Sequence, residues 1–365
     1  MRAAILRNHD APFTIEDVQL GELRQNEVLV EIVGVGICHT DLLLRDPGLA
    51  EAIGPAILGH EGAGIVKEVG SAVTQVGPGD HVLLSFDSCG TCKNCQSGSP
   101  AYCDEFERRN LTGYRADATT AAVDTDDKPL ANRWFGQSSF GEFAIATERN
   151  LVVIDPDLPL GLLGPLGCGL QTGAGAVLNE MKIAPGQSIA VFGAGAVGLA
   201  AVMAAKIAGA TDIVVVDLHQ SRLDVALQVG ATRVVRGDAD DVADQVRNGT
   251  AGMDFTFDTT AIGAVISTAV DVLARPGKAV LVGAGSDELR VSPTALAGRS
   301  ITFVLEGNAV PQIFIPQLIE YWRDGRFPFD QFVNVYPFEE INRAVLDSLS
   351  GHTIKPVLTF GSERS

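Results

Sequence analysis

The sequence has little positive charge. Lysine and arginine together number 27, against 45 aspartate and glutamate residues, and the formal net charge is −18 over 365 residues. Nucleic acids and anionic membrane surfaces attract basic proteins. We therefore expect neither nucleic acid nor a membrane as a partner.

Long apolar runs are also scarce. Residues 1–10 lack the apolar segment of a secretory signal peptide. Residues 189–205 are apolar, but glycines interrupt them and Lys206 ends them, so we interpret them as a strand followed by a helix rather than as a membrane span. These features predict a cytoplasmic protein, whose cysteines stay reduced and can bind metal.

Cysteine is uncommon, with only six residues, yet four of them lie within a stretch of 15 residues. Cys89, Cys92, Cys95 and Cys103 follow the spacing C-x2-C-x2-C-x7-C. Four thiolates so close in sequence predict a closed tetrahedral zinc site, which holds a loop because it leaves no open position for a substrate. A redox pair or disulfides are the alternative, but a two-cysteine pair leaves the other two cysteines unexplained.

The length and the changing pattern of the chain predict two domains, because one hydrophobic core rarely serves 365 residues. Residues 1–169 contain short β-rich segments and turns, which are typical of a β-barrel-like domain. Within them, the polar and acidic residues 117–127 are predicted to form a solvent loop. Over residues 170–305 strands alternate with helices, which predicts βαβ units and a parallel sheet. The alternation ends after that point, and residues 306–365 are predicted to form two helices and a final strand.

A glycine-rich turn opens the second domain. Gly193, Gly195 and Gly198 form a G-x-G-x-x-G pattern between a predicted strand and a predicted helix. In this context the first glycine makes the turn, the second lets backbone amides approach a pyrophosphate, and the third lets the helix pack on the strand. Asp217 ends the next strand, 19 residues after Gly198, and is expected to accept the ribose hydroxyls of an adenosine and to repel a 2′-phosphate. The pattern therefore favours NAD over NADP, and a helix N-cap or turn role is the alternative for Asp217.

The two remaining cysteines and one histidine are candidates for a second metal site. Cys38 and Cys168 would each, alone, more often be a small buried apolar residue, and His60 alone would more often be structural. In a dinucleotide-binding protein, however, the three together match the ligand set of an open catalytic zinc, which keeps a fourth position for water or substrate. That set is already known from alcohol dehydrogenase, so the assignment is a match to a known pattern.

Over nearly its full length the sequence resembles the medium-chain zinc-dependent alcohol dehydrogenases. Besides the four-cysteine segment, the matching stretches are GHEGAG at 59–64, GCGLQTG at 167–173 and VFGAGAVG at 191–198. Within the family it is most similar to bacterial aryl (benzyl) alcohol and geraniol dehydrogenases, through WFGQSSF at 134–140, PQIFIP at 311–316 and GRFPFD at 325–330.

The resemblance implies an α/β protein made of a GroES-like β-barrel catalytic domain and a Rossmann coenzyme domain with a doubly wound parallel sheet. The catalytic domain would span residues 1–169 and include a structural zinc lobe at about 86–106. The NAD-binding domain would span 170–305, and residues 306–365 would return to the catalytic domain.

The resemblance also implies how the catalytic zinc is held. Cys38, His60 and Cys168 would bind it, and Glu61 would sit just behind it and exchange with water as a ligand. Asp41 would accept a hydrogen bond from His60 and orient it, as carboxylates commonly do for zinc-bound imidazoles. An acid at a helix N-terminus is the alternative role for Asp41.

Further site residues follow from the same resemblance. Thr40 would take the proton from the alcohol and pass it to the nicotinamide ribose, with a helix N-cap as its alternative role. Some relatives end this relay in a histidine where this chain has Leu43, so we expect the ribose to pass the proton to water. The cofactor contacts would include, beyond the glycines and Asp217, residues His39, Thr172, Ala196, Val197, Arg222, Val282 and Lys355. The substrate pocket would be lined by Leu49, Phe86, Trp134 and Phe135. As the alternative, Arg222 and Lys355 are simply solvated basic side chains. For Trp134 and Phe135 the alternative is ordinary core packing.

The implied activity is the reversible oxidation of a primary aromatic or allylic alcohol to its aldehyde, with hydride transfer to NAD⁺. Two zinc ions per chain, a small-molecule alcohol or aldehyde substrate and a homodimer or homotetramer are expected with it. A secondary-alcohol or polyol dehydrogenase is the first alternative. A non-catalytic sensor that binds NAD and metal is a remote one.

Overall fold

The computed structural model describes residues 1–285 and 287–361, and it divides them into two compact units. Of the described residues, unit 1 contains Met1–Cys168, Val310–Pro316 and 333–361, and unit 2 contains those of Gly169–Ala309 and Gln317–Phe332. The first boundary lies one residue before the expected one. The expectation that residues 306–365 return together to the first domain needs correction, because residues 306–309 and 317–332 belong to unit 2.

Nineteen strands, counted in the described residues, form the sheets of the two units. They are β1 Arg2–Leu6, β2 Thr14–Asp17, β3 Gln19–Leu20, β4 Glu27–Gly36, β5 Ala56–Ile57, β6 Glu61–Val69, β7 His81–Leu84, β8 Ala122–Val123, β9 Pro129–Leu130, β10 Phe143–Thr147, β11 Leu151–Val153, β12 Ser188–Phe192, β13 Asp212–Asp217, β14 Arg233–Arg236, β15 Met253–Asp258, β16 Leu273–Leu281, β17 Arg299–Phe303, β18 Val333–Pro337 and β19 Lys355–Thr359.

The α-helices are shorter on average in unit 1 than in unit 2. They are α1 Pro47–Ile53, α2 Lys93–Gln96, α3 Phe106–Asn110, α4 Leu160–Leu163, α5 Gly169–Gly175, α6 Ala196–Ala208, α7 Gln220–Val229, α8 Val242–Arg247, α9 Gly263–Asp271, α10 Pro311–Arg323 and α11 Ile341–Leu349. A π-helix over Ala176–Met181 continues α5, and a 3₁₀-helix spans His39–Arg45. Among the described residues, no helix has both the length and the apolar character needed to cross a membrane.

The main sheet of unit 1 has the order β11-β7-β6-β4-β19-β18, and β10 also pairs with β4. Val28, Val30 and Ile32 of the central strand β4 are buried, because alternate side chains of a strand point to the same face. Two three-stranded sheets, β2-β1-β5 and β3-β8-β9, complete the unit. This β-rich architecture confirms the predicted GroES-like domain.

The segment predicted as a solvent loop is partly a strand. Residues 122–123 form β8, which pairs with β3 and β9, and Ala121, Ala122 and Asp124 are buried. The expectation for residues 117–127 was therefore wrong at their centre, because pairing with strands distant in sequence covers residues whose local composition is polar.

Unit 2 is built on a six-stranded sheet in the order β14-β13-β12-β15-β16-β17, in which every neighbouring pair is parallel. Ala190 and Val214 of the central strands pack with Val246 of α8 and Ala269 of α9 in one core cluster. The strand order reverses at β12, and in doubly wound sheets a ligand binds at the carboxyl ends of the strands beside such a switch point. The predicted Rossmann sheet is confirmed, and its switch point lies at the glycine turn.

Candidate metal and cofactor sites

Two cysteines and one histidine converge in unit 1. The Sγ atoms of Cys38 and Cys168 and a ring nitrogen of His60 lie within 4.8 Å of one another. The Nε2 atom of His60 is 3.2 Å from Cys168 Sγ. Bonds of about 2.3 Å to sulfur and about 2.0 Å to nitrogen hold a tetrahedral zinc, which sets its ligand atoms roughly 3.5 Å apart. The three residues therefore fit the ion that the sequence predicts.

Asp41 organises both metal-ligand segments. Its Oδ1 atom lies 2.7 Å from His60 Nδ1 and accepts the backbone N–H of Gly59 at 3.0 Å, while Oδ2 accepts the N–H of Cys38 at 3.1 Å. Since Nδ1–H donates to the carboxylate, Nε2 is the nitrogen that faces the cysteines. The structure thus brings Asp41 to the position expected for an orienting residue.

The charges of the cluster favour metal binding. Contact with Cys168 lowers the pKa of Cys38 well below its ordinary value, although burial opposes the shift. The thiolate is the form of cysteine that binds metal. Burial disfavours a charge on His60, but the carboxylate of Asp41 outweighs burial and raises the pKa of His60 well above its ordinary value. A metal ion at Nε2 would take the place of the second proton.

Glu61 and Lys355 form a buried ion pair, which the sequence analysis did not predict. Lys355 Nζ lies 2.9 Å from each carboxylate oxygen of Glu61 and donates to the carbonyl of Ile37 at 3.2 Å. Burial opposes the charge of Lys355, but the Glu61 carboxylate raises its pKa to about 12. Lys355 is 3% exposed, and its ammonium faces this carboxylate. The phosphate contact of Lys355 stays a prediction, to which the structure adds the ion pair with Glu61. In the described residues the three-ligand cluster forms without Glu61.

The close approach of Glu61 to the ligand segments depends on glycine. A Cβ atom on Gly36 would clash with Glu61 Oε2, and one on Gly164 would clash with the Glu61 carbonyl. The carboxylate and the backbone of Glu61 therefore occupy space that any other residue at these two positions would fill.

Thr40 and the predicted pocket residues lie in unit 1. The hydroxyl of Thr40 is 3.7 Å from Cys38 Sγ, whereas His39 is exposed and Leu49 is half-buried. The ring of Phe135 stacks on His60, with centroids 4.4 Å apart and planes at 25°. Three aromatic contacts extend this stack, in the pairs Trp134–Phe135, Phe106–Phe135 and Phe86–Phe106.

A buried glutamine that the sequence analysis did not single out braces the His60 segment. Gln137 Nε2 donates to the carbonyls of His60 at 2.9 Å and Ser85 at 3.1 Å, and Oε1 accepts from the N–H of Gly62 at 3.1 Å and the hydroxyl of Ser139 at 2.7 Å. All four hydrogen-bonding positions of the amide are thus used. The sequence signal for Gln137 was the stretch at 134–140, which supported the family resemblance but did not indicate a role for this glutamine.

The turn that carries Gln137 is backbone-strained. Phe135 and Ser138 have φ values of 49° and 55°, in the left-handed region that side chains with a Cβ rarely adopt. Gly136 between them has φ 70°. Such conformations persist where surrounding contacts hold them, and they concentrate at functional sites. Here they place the Phe135 ring on the imidazole and the Gln137 amide behind it.

The four-cysteine segment forms the second metal-ligand cluster. The sulfur atoms of Cys89, Cys92, Cys95 and Cys103 lie within 4.8 Å of one another, and none of the four forms a disulfide. Backbone N–H groups point at these sulfurs, among them the N–H of Cys92 at 3.3 Å from Cys89 Sγ and that of Cys89 at 3.2 Å from Cys103 Sγ. Such amides stabilise thiolates, so the segment fits a structural zinc and not a disulfide.

The glycine turn of unit 2 has the predicted geometry. Gly193 follows β12 with φ 98°, and a Cβ atom there would clash with the hydroxyl of Thr259. A Cβ atom on Gly198 would clash with the Gly193 carbonyl, which shows how closely α6 packs on the turn. Gly195, in contrast, faces open space within 4 Å, at the N-terminus of a helix of 13 residues. That open space before helix N–H groups fits a pyrophosphate.

A cavity of about 490 Å³ adjoins this turn in unit 2 and is lined by Gly193, Asp217 and Arg222, among other residues. Its volume is that of a small-molecule site. Asp217 Oδ2 accepts from the N–H of Ala194 at 2.7 Å, and Oδ1 accepts from the N–H of His219 at 2.8 Å. Arg222 Nε has no hydrogen-bond partner in the part of the chain that the structure describes. The residues therefore fit the adenosine half of NAD, while Thr172 and Val282 are half-buried elsewhere in the unit.

Comparison with known proteins agrees with this geometry. The family model of the alcohol dehydrogenase GroES-like domain matches residues 24–156, and that of the zinc-binding dehydrogenases matches residues 196–319. The chain is 41% identical to a geraniol dehydrogenase of Castellaniella defragrans, over 98% of this chain and 97% of that one. It is 34% identical to the alcohol dehydrogenase class-P of Arabidopsis thaliana, over 99% of this chain and 97% of that one.

Solved structures show the same similarity. The benzyl alcohol dehydrogenase of Acinetobacter calcoaceticus has a TM-score of 0.94 and 40% identity and covers 99% of both chains. An alcohol dehydrogenase zinc-binding domain protein of Burkholderia ambifaria has a TM-score of 0.95 and 46% identity, covering 99% of this chain and 98% of that one. This agreement over both units shows that the chain belongs to the zinc-dependent alcohol dehydrogenases and is an NAD-dependent oxidoreductase that acts on small-molecule alcohols.

Proposed function

We propose that this enzyme oxidises a primary benzylic or allylic alcohol to its aldehyde with NAD⁺, and that it catalyses the reverse reduction. The observation that carries the proposal is the convergence of Cys38, His60 and Cys168 within 4.8 Å, with the ring of Phe135 stacked on the imidazole. The relatives named geraniol and benzyl alcohol dehydrogenase support the substrate class. An aromatic or allylic group suits a site whose metal ligand is itself packed on an aromatic ring.

The residues of unit 1 would hold the metal and prepare it for the alcohol. Cys38, His60 and Cys168 would bind zinc, and Asp41 would keep the imidazole in the correct tautomer. A bound zinc ion supplies a Lewis acid for the alcohol oxygen, and bound NAD⁺ supplies the hydride acceptor. Lys355 would hold the Glu61 carboxylate behind the ligands, where it offsets part of the charge on the ion.

Thr40 would take the proton of the alcohol. Its hydroxyl is 3.7 Å from Cys38 Sγ, so it lies beside the metal-ligand cluster. Leu43 offers no group that could accept the proton later in the relay, so the proton would leave to water. The backbone amides at Gly195, Ala196 and Val197 would face the pyrophosphate of the cofactor, and Asp217 would face the ribose. The remaining proposed cofactor contacts are Arg222, His39, Thr172 and Val282.

The substrate class can be tested with purified enzyme by following NADH absorbance. Benzyl alcohol, geraniol, 2-propanol and sorbitol would be compared at equal zinc and NAD⁺ concentrations. We expect the highest kcat/KM with benzyl alcohol or geraniol. Highest values with 2-propanol or sorbitol would overturn the proposed substrate class, and no NADH formation with any alcohol would point to a binding protein.

We also propose that the chain acts in the cytoplasm as a homodimer or homotetramer. All six cysteines lie in the two metal-ligand clusters and none is in a disulfide, which suits a reducing compartment. In the described residues the edge strand β17 pairs with β16 alone, and its Phe303 is 49% exposed, as expected for a strand that a second copy covers. Light scattering of the purified protein would give the mass, and a monomer would contradict the proposed assembly.

A further inference from the structure

A polar cavity of about 170 Å³ lies within unit 1 and is lined by four arginines, Arg24, Arg109, Arg115 and Arg133. No residue lining it belongs to either metal-ligand cluster or to the glycine turn. Such a concentration of guanidinium groups is unexpected in a chain whose net charge is −18. Three carboxylates, those of Glu27, Asp87 and Asp117, also line the cavity and can pair with the arginines.

Three of the four arginines already bond to carboxylates. The pairs are Arg115–Glu27 at 2.7 Å, Arg109–Asp87 at 3.1 Å and Arg24–Asp117 at 2.8 Å. The first pair is bidentate, with 10% of the Arg115 side chain and 4% of the Glu27 side chain exposed, and bidentate geometry is the strongest for such a contact. The charges of these carboxylates are therefore committed to the arginines that they contact.

Arg133 is the buried cation that these pairs leave incompletely satisfied. It is 4% exposed, and Nη1 donates to the carbonyl of Ile145 at 2.6 Å. Its Nη2 lies 4.0 Å from Asp87 Oδ2, which is too long for a hydrogen bond, and Nε has no partner in the described part of the chain. A guanidinium carries five N–H donors, and burying them unbonded is costly. Burial accordingly lowers the pKa of Arg133.

We propose that this cavity binds a small oxyanion, a carboxylate or a phosphate, whose oxygens accept hydrogen bonds from Arg133. The planar guanidinium is suited to such ions because two of its N–H groups can bond to two oxygens. Arg24 lies at the rim, with 41% of its side chain exposed, and its ion pair with Asp117 opens to solvent. An entering anion therefore competes with Asp117 for Arg24 and meets Arg133 at the buried end.

The test is calorimetric titration of the zinc-loaded enzyme, saturated with NADH so that the pyrophosphate site is filled. Inorganic phosphate and acetate would be titrated separately at constant ionic strength. We expect one saturable site for at least one of them, and the tighter-binding ion identifies the class. Arg133→Met should weaken this binding by at least about tenfold, because it removes charge-assisted hydrogen bonds in a buried site.

The rim gives a test that does not depend on a buried residue. Arg24→Gln should weaken anion binding by about two- to fivefold, and Asp117→Asn should strengthen it by a similar factor, since exposed charges are partly screened. Opposite signs distinguish a role in binding from a loss of folding, which would shift both variants in the same direction.

Matched controls come from a similarly exposed pair, Arg326 and Asp324, whose side-chain atoms are 2.7 Å apart. Neither residue lines the cavity, so Arg326→Gln and Asp324→Asn should leave the titration unchanged. The proposal is overturned if the wild-type enzyme shows no saturable binding of either ion. It is also overturned if the two rim variants differ from wild type no more than the controls do, or if a folded Arg133→Met variant binds as wild type.

Discussion

Asp217 ends strand β13 with both carboxylate oxygens bonded to backbone N–H groups, from Ala194 of the glycine turn and from His219. These bonds fix its position beside the proposed adenosine site. A fixed carboxylate there accepts ribose hydroxyls but repels a 2′-phosphate. We therefore propose that the identity of this one side chain sets the preference between NAD and NADP.

Replacing this carboxylate should relax the cofactor preference. We expect Asp217→Gly to lower the ratio of kcat/KM for NAD⁺ to that for NADP⁺ by at least about tenfold, because the repulsion of the 2′-phosphate is lost. Asp212→Asn is the control, since Asp212 begins the same strand and bonds to Arg233. Steady-state kinetics with both cofactors give the ratio, and a ratio in Asp217→Gly equal to that of wild type would contradict the ribose role.

Thr40 offers a second test at the scale of one residue. Removing its hydroxyl in Thr40→Ala should lower kcat by about 10²-fold or more, since general acid–base groups contribute factors of that size. Thr40→Ser keeps the hydroxyl and should restore most of the rate. Zinc analysis should find the same content in all three proteins. Wild-type turnover in Thr40→Ala would rule out the proton transfer.

At the scale of elements, the turn over residues 134–140 is hydrogen-bonded to the start of strand β6, beside the metal ligand His60. Gln137 bonds to backbone groups of His60, Ser85 and Gly62, and these contacts do not follow from any local pattern. Contacts outside the first ligands commonly change metal affinity by about 10–100-fold when removed. The turn is therefore expected to contribute to metal retention without touching the metal.

The prediction for this turn is that Gln137→Leu releases one zinc per chain to a colorimetric chelator at least about tenfold faster than wild type. The loss leaves the carbonyl of His60 and the N–H of Gly62 without their amide partner. Gln312→Leu is a matched control, because Gln312 Nε2 also bonds to two carbonyls of unit 1, those of Arg149 and Leu151. Equal release rates in the two variants would show that Gln137 does not position the His60 segment.

The four-cysteine lobe is predicted to need its metal for stability. Cys95→Ser should lower the zinc content from two ions to one per chain and lower the Tm, because a closed site with four sulfurs loses one ligand. Ser97→Ala is the control on the same lobe, since Ser97 bonds to the Asn94 carbonyl and to no sulfur. Two zinc ions in purified Cys95→Ser would contradict the four-sulfur site.

The glycine turn of unit 2 could be predicted from the sequence because its geometry requires glycine at particular positions. Gly193 adopts φ 98° and Gly198 packs against the turn, so the pattern of glycines is itself the evidence. The ion pair of Lys355 with Glu61 could not be predicted in this way. The two residues are 294 positions apart. They meet because β4 pairs both with β6, which begins at Glu61, and with β19, which begins at Lys355. The pairing of such distant strands has no local signal.

At the scale of the whole molecule, one domain boundary could be predicted from the sequence and another could not. The first domain boundary follows from a change of hydrophobic periodicity near residue 170, and the structure divides at Cys168 and Gly169. The later assignment of residues 317–332 to unit 2 could not be predicted, because helix α10 has one continuous pattern although its residues belong to two units. Periodicity reports which face of a helix is buried but not which domain buries it.

The central claim concerns the complete enzyme, namely that a zinc ion held by Cys38, His60 and Cys168 is required for alcohol oxidation. The most direct measurement follows NADH formation and zinc content together while a chelator removes metal from the purified protein. We expect activity to fall in proportion to the loss of one zinc per chain and to return when zinc is added back. A purified sample that is fully active and contains no transition metal would contradict the claim.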